Sequence, residues 1–143
     1  MTFTGVNYLA VVLAAAAGWL VGAAYYMSLS RPWVAALGTT MERLKAENDN
    51  KSQAAKAAPF ILAAIANLVM AWVLAGLLAH LGPGEVTIWN GIVSGAFVWL
   101  GFTLTTMSVN YAYAGRKPML TVIDSGYWIL ALIVQGAVIG AFG

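Results

Sequence analysis

Residues 95–127 read GAFVWLGFTLTTMSVNYAYAGRKPMLTVIDSGY. An apolar helix carrying a polar seam runs into a short basic turn, AGRKP, and the next apolar helix opens with a carboxylate, Asp124. A helix needs about 20 apolar residues to cross the hydrocarbon core of a bilayer, and both flanks of this turn are long enough. Arg116 and Lys117 mark the turn as lying on the basic side of a membrane, so the rest of the chain can be threaded outward from it.

The composition agrees with that threading. The chain has 143 residues, of which 62% are hydrophobic and only 8% charged, whereas soluble domains carry about 25% charged residues. So few charges cannot cover a water-facing surface, which leaves lipid as the solvent. The absence of cysteine excludes a disulfide framework, a thiolate nucleophile and a cysteine metal site, and a single histidine, His80, excludes a histidine-built metal centre. No nucleotide loop, zinc motif, catalytic triad or nucleic-acid motif is present. The expectation is therefore a non-enzyme without cofactor or metal, whose partner is the lipid bilayer and not nucleic acid.

Four spans are predicted, at about 6–29, 57–81, 88–112 and 119–142, forming one all-α, polytopic four-helix bundle. Pro32 should end the first span, because its ring cannot continue a helix. In the loop 30–56, Thr39-x-x-Glu42 has capping-box spacing, so TMERLKAE reads as a short helix, followed by a polar linker, ENDNKSQ. Pro59 falls in the expected first turn of the second span, LGPGEV makes a tight turn, and Thr87 is a candidate cap for the third. All seven basic residues (Arg31, Arg43, Lys45, Lys51, Lys56, Arg116 and Lys117) lie in the loop after span one or the turn after span three. The positive-inside rule makes that side cytoplasmic and puts both termini outside.

Small residues recur at four-residue spacing in every span: Gly18 and Gly22; Ala71, Ala75 and Ala79; Gly91 and Gly95; Gly136 and Gly140. Such faces let helices approach closely in lipid, within one bundle or between subunits of a homo-oligomer. Spans one and three also share an outer asparagine (Asn7, Asn90), a deeper glycine (Gly18, Gly101) and a basic-proline break, which would fit a repeat about the membrane normal.

Asp124 is the one carboxylate in or bordering a span. Charged groups inside a bilayer are costly and mark candidate functional sites. Thr121-x-x-Asp124 also has capping-box spacing, with Arg116 or Lys117 at hand as a partner, so a structural and a ligand- or proton-handling role both stay open. Asn67 lies mid-span and needs a partner, for which the hydroxyls of span three are candidates. Thr103, Thr106 and Asn110 fall on one helical face, and Tyr26 and Tyr127 lie toward the cytoplasmic half. Tyr26, Asn67, Thr103, Thr106, Asn110, Asp124 and Tyr127 thus define a candidate polar pocket, whose alternative is a set of interhelical hydrogen bonds. His80 and Glu85 sit at the outer end of span two, as interfacial residues or as a pH-sensitive contact. Trp33, Trp89 and Trp128 suit an aromatic belt, while Trp72 and Trp99 are deep enough to pack inside.

Two segments, VNYLAVVLAAAAGWLVGAAYYMSLSRPWVAALG and WLGFTLTTMSVNYAYAGRKPMLTVIDSGY, resemble the small membrane proteins of domain-of-unknown-function family 1761. The resemblance implies a four-helix integral membrane protein of a chiefly bacterial family, hence the inner membrane, and it transfers no catalytic residue. Two functions remain: a small-solute or ion carrier or channel subunit acting as a homo-oligomer, or an accessory subunit of another membrane complex.

Overall fold

The computed structural model describes residues 5–143; residues 1–4, which hold most of the uncharged leader, lie outside the described residues. The first span is α1 (Tyr8–Ser28), capped by the Asn7 side chain, which accepts from the Ala10 amide at 3.2 Å. Helix α2 (Ser30–Leu37) restarts after the single non-helical residue Leu29. Pro32 therefore does not end the first helix. It sits in the first turn of α2, where a missing N–H leaves no intrahelical bond unmade. Gly38, at φ +78°, closes α2 in the left-handed conformation that glycine adopts without steric cost.

Helix α3 (Met41–Asp49) is capped by Thr40, whose hydroxyl accepts from the Arg43 amide at 3.3 Å, one residue beyond the expected cap. Ser52 caps α4 (Gln53–Ala79) by accepting from the Ala55 amide at 3.2 Å. That cap starts the second span ahead of residue 57 and leaves Pro59 inside the helix, not in its first turn. Thr87 caps α5 (Ile88–Val98), as its position suggests, and a π-helical segment (Trp99–Leu104) joins α5 to α6 (Thr105–Tyr113). The last span is α7 (Pro118–Ala141), with Pro118 as its first residue. Thr121 is consequently already inside α7, and the Thr121–Asp124 capping box does not exist.

The four stretches Tyr8–Ser28, Gln53–Ala79, Ile88–Tyr113 and Pro118–Ala141 are long and apolar enough to span a bilayer. Helix α7 is the hub: it lies along α5 and α1 and more lightly against α4, while α1 and α4 pack on each other. Glycine sets these distances. A Cβ on Gly91 would collide with the Gly136 carbonyl, one on Gly140 with the Thr87 carbonyl, and one on Gly95 would sit 2.5 Å from the Leu132 carbonyl oxygen. Against α1 the core is built from Ala14, Ala15, Ala71, Ala75, Leu74 and Leu78.

The exterior, more than the interior, departs from a soluble domain. Asn67 and Gln135 are among the largest fully buried side chains, while Met27, Phe60, Phe97 and Phe102 are each at least two-thirds exposed. A surface of that kind is stable only against hydrocarbon, and the protein is an integral membrane protein. Trp99 packs in the bundle as its depth implies, but Trp72 is 40% exposed on the outer surface.

Spans one and three do not use their matching residues alike. Asn7 caps its helix, whereas the Asn90 amide donates to the Glu85 carbonyl and carboxylate at 2.8 and 3.0 Å. Gly18 is buried against two side chains, while Gly101 faces open space.

One end of the bundle carries the basic turn and α2, tied together by Lys117 Nζ donating to the Ala35 carbonyl at 3.0 Å. The other end holds the 80–87 turn, with Gly143 against Val86 and a hollow lined by Gly5, Pro83, Thr87 and Gly143. His80 Nδ1 lies 2.6 Å from the Gly76 carbonyl of its own helix, and the Glu85 carboxylate is engaged by Asn90, so these two residues do not form the His–Glu contact.

Candidate functional site

Helix α7 places Asp124, Tyr127, Ala131 and Gln135 at i, i+3, i+7 and i+11, a single face turned into the bundle, and all four are buried. From Asp124 to Gln135 that face runs about 16 Å along the helix axis, roughly half the hydrocarbon thickness. Each polar side chain on it hydrogen-bonds to at least one other element.

At the basic end, the Asp124 carboxylate gathers three donors. Tyr26 Oη of α1 donates to Oδ1 at 2.8 Å, Trp33 Nε1 of α2 to the same oxygen at 3.0 Å, and Tyr111 Oη of α6 to Oδ2 at 2.8 Å. Asp124 is 8% exposed. Neither Arg116 nor Lys117 is among its donors, as the capping-box reading would have had it; all three are neutral. Tyr25 adds a fourth tie, its hydroxyl donating to the neighbouring Ile123 carbonyl at 2.8 Å. One carboxylate thus joins α1, α2 and α6 to α7.

The surrounding rings form a continuous aromatic cluster. Tyr26 stands edge-on to Tyr25 (centroids 5.4 Å apart, planes at 82°) and to Trp33 (5.7 Å, 73°), and lies 5.5 Å from Tyr127 at 59°. Edge-to-face pairs place the positive rim of one ring on the negative face of the next. Gly22 and Gly126 make the space: a Cβ on Gly22 would lie 2.7 Å from the Tyr127 ring, and one on Gly126 2.5 Å from the Tyr25 hydroxyl.

Deeper in, Asn67 Nδ2 donates to the Tyr127 hydroxyl at 2.8 Å and to the Ala63 carbonyl at 2.9 Å, while Tyr127 donates to the Gly18 carbonyl at 3.4 Å. Gln135 Nε2 donates to Asn67 Oδ1 at 2.9 Å and to the Asn67 carbonyl at 3.3 Å. Gln135 Oε1 is buried with no donor, an arrangement that costs roughly 1–3 kcal/mol in a native interior. Beyond Gln135 the core is apolar through Ala10, Ala14, Leu74, Leu78 and Ile139.

Of the seven residues expected to line a pocket, Tyr26, Asn67, Asp124 and Tyr127 come together in this column. Thr103, Thr106 and Asn110 do not join it. Thr103 is half-buried, and Thr106 and Asn110 are exposed on the far side of the third span. The span-three hydroxyls do not reach Asn67; Thr105 and Ser108 donate to the Gly101 and Leu104 carbonyls of their own helix at 2.8 and 2.6 Å. The π segment opens at Trp99, whose Nε1 donates to the Ser125 carbonyl at 2.8 Å. π segments are rare inside α-helices and are frequent at functional sites.

Sequence reasoning missed Gln135, Tyr111 and the role of Trp33. Gln135 had a usable signal, an amide three turns beyond Asp124 on one helical face. Trp33 resembled a belt residue, and only the immediate restart of the chain as α2 folds its indole back onto α7. Two shallow, open hollows lie elsewhere: one at the opposite end, the other an apolar groove between α1 and α4 lined by Tyr8, Val11, Val12, Leu68, Val69 and Trp72. Among the described residues no three His, Cys, Asp or Glu side chains group as a metal site.

The family described as Protein of unknown function (DUF1761) matches residues 9–140. No curated protein and no solved structure matches the chain. With nearly its whole length matched, from the first span to the last, the chain belongs to the DUF1761 family.

Proposed function

We propose that this protein is a subunit of a small-solute carrier in the bacterial inner membrane, acting as a homo-oligomer and loading its solute at Asp124 from the cytoplasmic side. The observation that carries the proposal is a buried carboxylate whose hydrogen-bond donors are all neutral. A buried carboxylate without a cationic partner offers an arriving solute a charge to pair with. The polar column supports one-sided loading. It begins where α2 and the basic turn meet, ends at Gln135, and gives way to an apolar outer half. Basic residues confined to that end support its cytoplasmic placement, with both termini outside. The lone His80 sits at the opposite end from Asp124, which supports a carrier over an enzyme, since an acid and a base must share a site to cooperate.

The homo-oligomer draws support from the third span. Its inner half packs chiefly on α7 and leaves Thr106 and Asn110 exposed on a helix of membrane-spanning length. The same surface favours a second reading, an accessory subunit that covers this face with another membrane protein. Flux across proteoliposomes, measured over a panel of metabolites and cations, tests the carrier. Flux above that of empty vesicles and lost in Asp124→Asn is expected. No flux, or flux unchanged in that variant, refutes it, and a stoichiometric heterologous partner recovered by crosslinking in native membranes favours the accessory role.

A further inference from the structure

We infer that the basic end of the bundle binds the headgroup phosphate of an anionic phospholipid, through Arg31, Arg116 and Lys117. Helix α2 brings these residues to one surface. Lys117 Nζ donates to the Ala35 carbonyl at 3.0 Å, and Arg31 lies one turn before Ala35 on the same face of α2. Arg116 precedes Lys117 in the turn between α6 and α7. All three residues are exposed. The Lys117 ammonium has three N–H groups and gives one of them to Ala35.

The charge on this surface is uncompensated. Among the described residues, the Arg31 and Arg116 side chains take part in no hydrogen bond or ion pair, and no carboxylate pairs with Lys117. Asp124 is buried, and its donors are Tyr26, Trp33 and Tyr111. The other acids of the 30–56 loop, Glu42, Glu47 and Asp49, belong to α3, which also carries Arg43 and Lys45. Helix α3 therefore mixes both signs, whereas the surface where the spans end is basic alone. Arginine matches a phosphate with two parallel N–H groups, and basic residues at a membrane surface favour anionic lipid by about fivefold each.

The surface beside these charges selects a lipid over a free phosphate. Met27, four residues before Arg31, Tyr113, three before Arg116, and Met119, two after Lys117, are each more than half exposed. They belong to the ends of three stretches of membrane-spanning length. Apolar side chains thus begin within about one helical turn of the charged groups. A free anion would use the charges and leave the methionines bare. A phospholipid uses both, with its phosphate on the basic groups and its acyl chains along Met27 and Met119.

The test measures, by calorimetry on the full chain in a neutral maltoside detergent, the binding of three compounds. Dioctanoyl phosphatidylglycerol carries charge and chains, dioctanoyl phosphatidylcholine has the same chains without net charge, and glycerol 3-phosphate has the charge without chains. Phosphatidylglycerol is expected to bind at least about fivefold more tightly than phosphatidylcholine, with a preference that shrinks at high salt. Arg31→Gln combined with Arg116→Gln removes two charges and no intramolecular bond. That pair should weaken phosphatidylglycerol by about tenfold or more and leave phosphatidylcholine unchanged. Arg43→Gln combined with Lys45→Gln, on α3, should change neither. Equal binding of the two lipids by the unaltered chain overturns the inference, as does an equal loss in the α3 pair. Glycerol 3-phosphate bound as tightly as phosphatidylglycerol overturns it as well, since the site would then serve a free phosphate.

Discussion

Replacing Gly18 by alanine should be among the most damaging single-methyl additions in the membrane interior, and replacing Gly101 should be almost silent. Both glycines lie deep in their spans and look equivalent in sequence. A Cβ at Gly18 would stand 2.5 Å from Asn67 Oδ1 and 2.7 Å from Gln135 Nε2, whereas one at Gly101 would meet nothing within 4 Å. The two atoms struck are the acceptor and donor of the central amide pair, bonded at 2.9 Å in a fully buried setting. Ordinary carbon–oxygen contact needs more than 3 Å, so the pair must part or α1 must withdraw from α7. Overpacking costs about 1–3 kcal/mol, and each buried amide group left unpaired adds about 1–3 kcal/mol. A loss of about 2–5 kcal/mol is therefore expected for Gly18→Ala, against a change within about 0.5 kcal/mol for Gly101→Ala, as for surface sites generally. Reversible unfolding in mixed lipid–detergent micelles, followed by tryptophan fluorescence, gives both values. Equal effects at the two positions would refute the packing of α1 against the Asn67–Gln135 pair.

Gly136→Ala should be harsher than Gly18→Ala in the same assay, because its Cβ meets the Gly91 backbone carbonyl, which cannot swing aside as a side chain can. Trp33→Phe should cost about 1 kcal/mol by removing one of the three donors to Asp124 while keeping an aromatic ring; an unchanged stability would mean that α2 is not held by that bond. Asp124→Leu should cost about 2–4 kcal/mol, more than Asp124→Asn, since the Trp33 indole is donor-only and is left without an acceptor. For topology, a cysteine at the exposed position Pro83 should react with an impermeant maleimide in intact cells, while one at Lys45 on α3 should react only after lysis; the opposite pattern inverts the threading.

Membrane class, number of spans and the side that carries the basic loops are all legible in one dimension. Hydrocarbon demands long apolar runs, each helix satisfies its own backbone, and positive charge is kept to one side. Of the local caps, Thr87 was as legible, since it acts within three residues of itself, whereas Asn7 and Ser52 cap helices without having been picked out as caps. Thr40 replacing Thr39 is a one-residue slip, because neighbouring polar residues compete for one cap, whereas α4 starts four residues early, at the Ser52 cap. The resemblance to family 1761 and the match over residues 9–140 concern the same chain-length pattern.

What tertiary structure decided is which helix faces which. Four apolar rods with small residues on every face allow several pairings, and lipid offers no water to squeeze out, so nothing along the chain ranks them. The fold makes α7 the hub and pairs Asn67 with Tyr127 and Gln135 instead of the hydroxyls of span three. It also turns Trp33 and Tyr111 onto Asp124, across 91 and 13 residues of chain. Asp124 could be singled out by its charge alone, but an acidic residue becomes a site through its neighbours, and those come from α1, α2 and α6, which only the packed bundle brings to it.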